Sequence, residues 1–250
     1  MHFISERRIN TVLEHKFTLG EIAGILWLPE STSEAEPVPL ILAGQPGGLS
    51  LDQTYSRMFA RAEHAARGGF ATVTIELPGT GHRPWPDGVD EARAEMFEAV
   101  RAGRRVGSDT IDRLVLPLVD KAVPEWQSAV DALTELPEIG DRVGCSGGLI
   151  SVAVRLAAVE PRISAAVLFA GSFVPYSIVE EARSVTIPLH VLLQWDDEHN
   201  DREMALELFD AFGSQEKSLH ANMGGHTGVP PHAADEAIRF LNRQLSPFHE

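Results

Sequence analysis

The sequence predicts an α/β domain: a mostly parallel central sheet of about eight strands, with helices on both faces. Three observations carry this expectation. Short, wholly apolar runs such as "PLILAG", "FATVTIEL" and "ISAAVLFA" recur along the chain, and such runs suit parallel strands buried on both faces. Amphipathic stretches of helical period alternate with them. Glycine and proline punctuate the joins. At 250 residues the chain fits one such domain, since single α/β domains commonly run to about 200–250 residues.

Taken in order, "RRINTVLEHK" and "EIAGILWLP" read as two strands joined around Gly20. The polar loop "ESTSEAEPVP" leads into "PLILAG". "LDQTYSRMFARAEHAARGG" places Tyr55, Met58, Phe59 and Ala62 at helical spacing and stops at Gly68 and Gly69. "FATVTIEL" is the next strand. Residues 84–138 read as a helical segment between strands, built from "DEARAEMFEAVRAGRR", "DTIDRLVLPLVDK" and "VPEWQSAVDALTEL", and any lid over a site must come from here. The cycle resumes with strand "RVGC", helix "GGLISVAVRLAAVE" ended by Pro161, and strands "ISAAVLFA" and "IPLHVLLQW". Helix "REMALELFDAF", strand "EKSLHAN" and a last helix, "PPHAADEAIRFLNRQL", complete it, the last with Ala234, Ala237, Ile238, Leu241 and Leu245 on one face. Only about a dozen residues separate "LFAGSFVP" from "IPLHVLL", too few for a large cap domain.

Composition narrows the function classes. Hydrophobic residues make up 44% and charged residues 23%, enough apolar material for a core and ordinary for a globular protein. The net charge of −15 argues against a nucleic-acid partner, which needs basic patches to neutralise phosphates. No run of about 18 apolar residues is present, so no membrane partner is expected. The N-terminal "MHFISERRIN" carries charges where a signal peptide needs its apolar stretch. With one cysteine no internal disulfide can form, and a cytoplasmic setting is the default expectation. Oligomeric state is not legible.

In parallel α/β sheets ligands bind at the carboxyl ends of the strands, so the loops there are the places to search. "DRVGCSGGLIS" puts Ser146 in a Gly-x-Ser-x-Gly pattern between a buried strand and an apolar helix. Such a sharp strand–turn–helix presents a serine oxygen above the sheet, with the next backbone N–H facing a developing oxyanion. Read alone, the same stretch is more often a structural turn, and its place between a buried strand and an apolar helix is what favours the serine. His226 lies in "LHANMGGHTGVPP", a Gly-rich loop after the last strand, where an imidazole can reach over the sheet; a solvated loop histidine is the plainer alternative. "LLQWDDEHND" offers Asp196, Asp197, Glu198 and Asp201 after the preceding strand. Asp201 suits the cap of the next helix, and Asp197 the orientation of His226. The acidic loop lacks the glycine and terminal glutamate spacing of an EF-hand, so no metal is expected. "GQPGG" lacks the spacing of a phosphate-binding loop.

The chain order Ser146, Asp197, His226, with "GCSGG", "QWDDE" and "GGHTG" at successive strand ends, resembles the α/β-hydrolase superfamily over nearly its whole core. It is most similar to the dienelactone-hydrolase-like and small serine esterase branches. "ELPGTGHR" also resembles the loop after the fourth strand. The resemblance implies a serine hydrolase acting on a carboxylic ester or lactone, with Ser146 as nucleophile, His226 as base and Asp197, second in "DDE", as the acid. No cofactor is implied, and the partner is a small-molecule substrate. A silent ligand-binding relative is the alternative, as is a peptidase or thioesterase of the same fold. Two departures stand out. Dienelactone hydrolases carry cysteine as nucleophile, but a glycine would be needed at Val143 for Cys145 to take that place, so Cys145 reads as packing. Relatives often show a histidine in the loop occupied here by "GQPGG". Pro46 has no N–H, which leaves Gln45, or alternatively Gly47, as the second oxyanion donor beside Gly147. Trp85, Phe173 and Trp195 lie on active-face loops and are candidates to line an acyl pocket.

Overall fold

The computed structural model describes residues 1–198, 200–226 and 229–246. Among them, nine strands form one sheet in the order β1-β2-β3-β5-β4-β6-β7-β8-β9. The strands are β1 (His2–Ile9), β2 (Val12–Leu19), β3 (Ile22–Pro29), β4 (Val38–Gly44), β5 (Ala71–Ile75), β6 (Ile139–Gly147), β7 (Ile163–Phe169), β8 (Leu189–Gln194) and β9 (Lys217–Asn222). β1, β2 and β3 form an antiparallel meander that joins β5 antiparallel, and every pair from β5 to β9 is parallel.

"RRINTVLEHK" departs from the expected single strand. It is cut at Asn10, which takes φ 53°, and Ile9 pairs with Val12 across a two-residue turn. Asparagine tolerates the left-handed region because its short side chain bonds locally, and this permits a tight hairpin. The extra strand it creates, β1, is exposed along almost its whole length and carries Glu6, Arg7 and Arg8, charges that discourage further edge pairing.

The helices are α1 (Leu51–Arg67), α2 (Val89–Arg101), α3 (Ser108–Leu133), α4 (Ile150–Val159), α5 (Tyr176–Ala182), α6 (Arg202–Ala211) and α7 (Pro231–Leu245). α1 begins at a capping box in which Ser50 and Gln53 bond each other's backbone N–H. α1 and α7 cover one face of the sheet, and α3 to α6 the other. α3 runs unbroken through Pro117 and Pro124, where the sequence reads as separate pieces. An internal proline costs about 3 kcal/mol. The stripe Ile111, Leu114, Val115, Leu118, Val119, Ala122, Val123 and Trp126 is buried from end to end, and that burial outweighs it. α7 is turned slightly from its expected face: Ala233 and Phe240 are buried, and Ala234 is exposed. Among the described residues, no helix is long and apolar enough to cross a membrane.

Candidate active site

β4 leads through α1 to β5 on one side of it, whereas β6 lies on its other side. The strand order therefore reverses between β4 and β6, and the loops that leave their carboxyl ends run to opposite sides, the place where such sheets bind ligands. Both loops that the sequence singles out meet there. A Cβ on Gly44 would lie 2.6 Å from Gly147 O and 2.7 Å from Gly148 Cα, so the end of β4 touches the turn after β6 backbone to backbone. Gln45 follows, fully buried, its Nε2 donating to Thr54 Oγ1 of α1 at 2.8 Å.

The turn itself differs from the expected one. Left-handed backbone falls on Gly147 (φ 68°) and Gly148 (φ 86°), and Ser146 stays in the strand, one residue before the bend. Two glycines adopt this conformation without the steric cost a serine Cβ would bring, so the chain bends at them. In register, Ser146 pairs with Ala43 and Val167, whose side chains pack on the α1 and α7 face. There Arg61 Nη2 of α1 donates to both Ser146 O and Ser146 Oγ, each at 3.0 Å. Desolvation, with the like charge of Arg57, pushes the Arg61 pKa down to about 10. A Cβ on Gly147 would also meet this guanidinium, 2.9 Å from Nη2. Sequence reasoning missed Arg61. The signal was a charge set at helical spacing from Thr54, Met58 and Ala65, inside the buried stripe of α1.

Cys145 alternates to the opposite face, buried, and burial pushes its thiol up to about 12, far from a reactive thiolate. Beneath the turn a small recess is lined by Gln45, Leu77, Trp126, Gly147, Leu149 and Val152.

At the carboxyl ends of β8 and β9 the acid loop and the histidine loop are stitched together. Trp195 N donates to Asn222 O at 2.7 Å, Asp196 N to Gly224 O at 3.2 Å, and Gln194 Nε2 to Gly225 O at 3.1 Å. These bonds bring His226 Nδ1 to 2.8 Å from Asp197 Oδ2. The Asp197 side chain is 4% exposed and that of His226 67%, so a shielded carboxylate holds an accessible imidazole. The neighbouring Asp196 is exposed. Asp201 caps α6, accepting from the N–H groups of Glu203 and Met204. Thr227 and Gly228 of "GGHTG" lie outside the described residues.

The three aromatic candidates sit on separate loops. Trp85 packs over Gly79, where a Cβ would fall 2.2 Å from its ring, and Arg93 stacks on it at 4.3 Å. Phe173 is partly buried with φ 57°, a strained value for a bulky residue. Trp195 is 36% exposed beneath Arg202, which lies 4.3 Å from the ring centre.

No family model matches this sequence, and no curated protein does either. Solved structures do. A cold-adapted esterase from an Arctic intertidal metagenomic library, bound to PEG, superposes at TM-score 0.76 with 24% identity, over 98% of this chain and 100% of that one. An esterase from Pyrococcus furiosus superposes at TM-score 0.64 with 14% identity, over 97% and 94%. A dienelactone hydrolase from Anabaena variabilis superposes at TM-score 0.60 with 19% identity, over 94% and 100%. With its strand order, its helix layers and these likenesses, the chain has the α/β-hydrolase fold.

Proposed function

We propose that this protein is a serine hydrolase that cleaves a carboxylic ester or lactone through an acyl-enzyme. The observation that carries the reading is the 2.8 Å bond between His226 Nδ1 and Asp197 Oδ2, at the same end of the sheet as the Ser146 turn. An imidazole whose Nδ1–H is held by a carboxylate has Nε2 as its basic nitrogen. In this reading His226 takes the Ser146 proton, the alkoxide attacks the carbonyl carbon, and Asp197 stabilises the imidazolium. The imidazolium then returns the proton to the leaving oxygen, and water repeats the cycle on the acyl group. The N–H groups of Gly147 and Gln45 serve the oxyanion, a contribution of roughly 3–4 kcal/mol per donor in a comparable case. Arg61, already bonded to Ser146 Oγ, favours the alkoxide by its charge. No cofactor enters the cycle. The names of the structural neighbours, esterases and a dienelactone hydrolase, support a small ester or lactone as substrate. Trp85, Phe173 and Trp195 are the proposed acyl-pocket walls. In a single domain whose α3 is core, α2 is the proposed lid, with exposed Phe97 and Val100 as its apolar surface. A cytoplasmic setting belongs to the same proposal and rests on a single, buried cysteine.

A fluorophosphonate probe with peptide mass spectrometry tests this directly. Labelling at Ser146, with turnover of chromogenic esters of graded acyl length, is the expected result. One observation favours a second reading, a ligand-binding protein of the same fold: Ser146 stands one residue before the bend, its Oγ held by Arg61. A folded protein that neither labels nor turns over any ester would decide for that second reading.

A further inference from the structure

Away from the carboxyl ends of the strands, three side chains converge that the reaction at Ser146 does not use. His190 is the second residue of β8, His220 the fourth of β9, and Glu236 lies in the first half of α7, which packs against β8 and reaches β9 through the Glu236–His220 contact. The register pairs His190 with Ser218 and Leu192 with His220, so both histidines stand on the α7 face. One donor atom from each of His190, His220 and Glu236 lies within 4.8 Å of the other two.

Two details mark this group off from an ordinary surface pairing. His190 is 8% exposed, yet its Nε2 is buried and has no hydrogen-bond partner. A buried polar atom left unpaired costs about 1–3 kcal/mol, so such an atom calls for a ligand. Meanwhile His190 Nδ1 lies 2.8 Å from Ser218 Oγ, and its ring stacks on Phe240 at 5.6 Å. A second nitrogen held by a hydrogen bond is the arrangement that orients a metal-binding imidazole. On the open side, His220 Nδ1 already meets Glu236 Oε2 at 2.6 Å. The His232 ring stands 6.1 Å from that of His220, one helical turn before Glu236.

We propose that His190, His220 and Glu236 form a structural site for a divalent transition-metal ion, zinc by its donor set, with His232 or water as fourth ligand. Two imidazoles and a carboxylate suit zinc, whereas calcium and magnesium take oxygen ligands. Tetrahedral zinc holds its donors about 3.3 Å apart. His220 and Glu236 are each partly exposed and can turn to close the remaining gap around the fixed His190. The consequence for the fold is local. β9 and α7 are the two elements that flank the loop carrying His226, so an ion joining them to β8 clamps both ends of that loop. The site stands independently of the chemistry at Ser146.

The test uses the full chain without a polyhistidine tag, stripped with chelator and titrated with Zn²⁺ by calorimetry and thermal unfolding. One equivalent should bind with a Kd of about 10 μM or tighter, and saturation should raise Tm by at least about 3 °C. Co²⁺ should give the intense visible bands of a tetrahedral site. His220→Ala and Glu236→Gln, both at partly exposed positions, should keep the metal-free Tm and each weaken zinc binding by at least about 100-fold. His190→Ala is the riskier variant, because it opens the core, and it is not needed. Absence of binding and of any Tm shift in the wild type would overturn the site. So would zinc binding that both variants leave unchanged, since the ion would then sit on other histidines.

Discussion

A partly buried guanidinium is costly unless something balances its charge, and Arg61 has no carboxylate within ion-pair distance among the described residues. Its hydrogen bonds go to Ser146 O and Oγ, which makes it a brace for the strand end and, in the proposed reaction, a positive field at the attacking oxygen. Arg61→Met should lower kcat by about 100-fold and shift the alkaline side of the pH–rate profile, whereas a purely structural brace would change Tm alone. Ser146→Ala should abolish ester turnover, a loss on the order of 10⁶ in a comparable triad, with Tm almost unchanged because the deleted hydroxyl leaves little cavity. Activity of that variant within tenfold of wild type would sink the serine. For the acid, Asp197→Asn should cost on the order of 10⁴ in kcat by permitting the wrong imidazole tautomer. Asp196→Asn, at an exposed side chain, should cost no more than about tenfold, and steady-state kinetics at neutral pH rank the two.

At the scale of elements, the proposed site depends on how closely β4 and β6 end together. Gly44 lies against Gly147 and Gly148 with no room for a methyl group. Gly44→Ala should therefore part the two strand ends, lowering stability by about 1–3 kcal/mol in denaturant melts and kcat along with it. Wild-type activity and stability in the Gly44→Ala variant would mean that this contact does not hold the two strand ends in place. The bonds from Gln194, Trp195 and Asp196 to the histidine loop do the same service on the other side. Their strands were legible as apolar runs. The cross-links were not, because each joins a loop backbone to a partner about 27–31 residues away, whose position depends on the packing of α6 between them.

Across the whole molecule, one buried carboxylate ties the antiparallel meander to the helix layer. Glu14 of β2 is 1% exposed and accepts from Arg7 Nε of β1 (2.7 Å), Trp27 Nε1 of β3 (2.8 Å) and Tyr55 OH of α1 (2.6 Å). Burial works to raise its pKa, but these hydrogen bonds outweigh it and hold the carboxyl below its ordinary 4.5. Burial and the Glu14 charge push Tyr55 the other way, to about 12. Because Glu14 is depressed in the folded state, its stabilisation is complete above the ordinary value and is lost as pH falls through the lowered one. Glu14→Gln should cost about 1–3 kcal/mol at neutral pH. The Tm difference from wild type should shrink in that acid window, and a difference constant down to the lowest pH would remove Glu14 from the acid response.

By itself the sequence determined the layered α/β fold, the Asp201 cap and the strand ends on which Ser146, Asp197 and His226 stand. Each of these follows from spacing along the chain, and side-chain periodicity is a local property. Only the tertiary structure decided the rest. Whether the bend falls on Ser146 or on Gly147 depends on the fit of two glycines against Gly44. Arg61 meets Ser146 across 85 residues because α1 packs over β3 and β5 and against Ala43 of β4, the strand beside β6. His190, His220 and Glu236 span 190 to 236 on three elements and match no metal motif, since their convergence is set by the register of β8 on β9 and the seat of α7. Spacing in sequence specifies which face a residue occupies; which residues meet across that face is specified by packing.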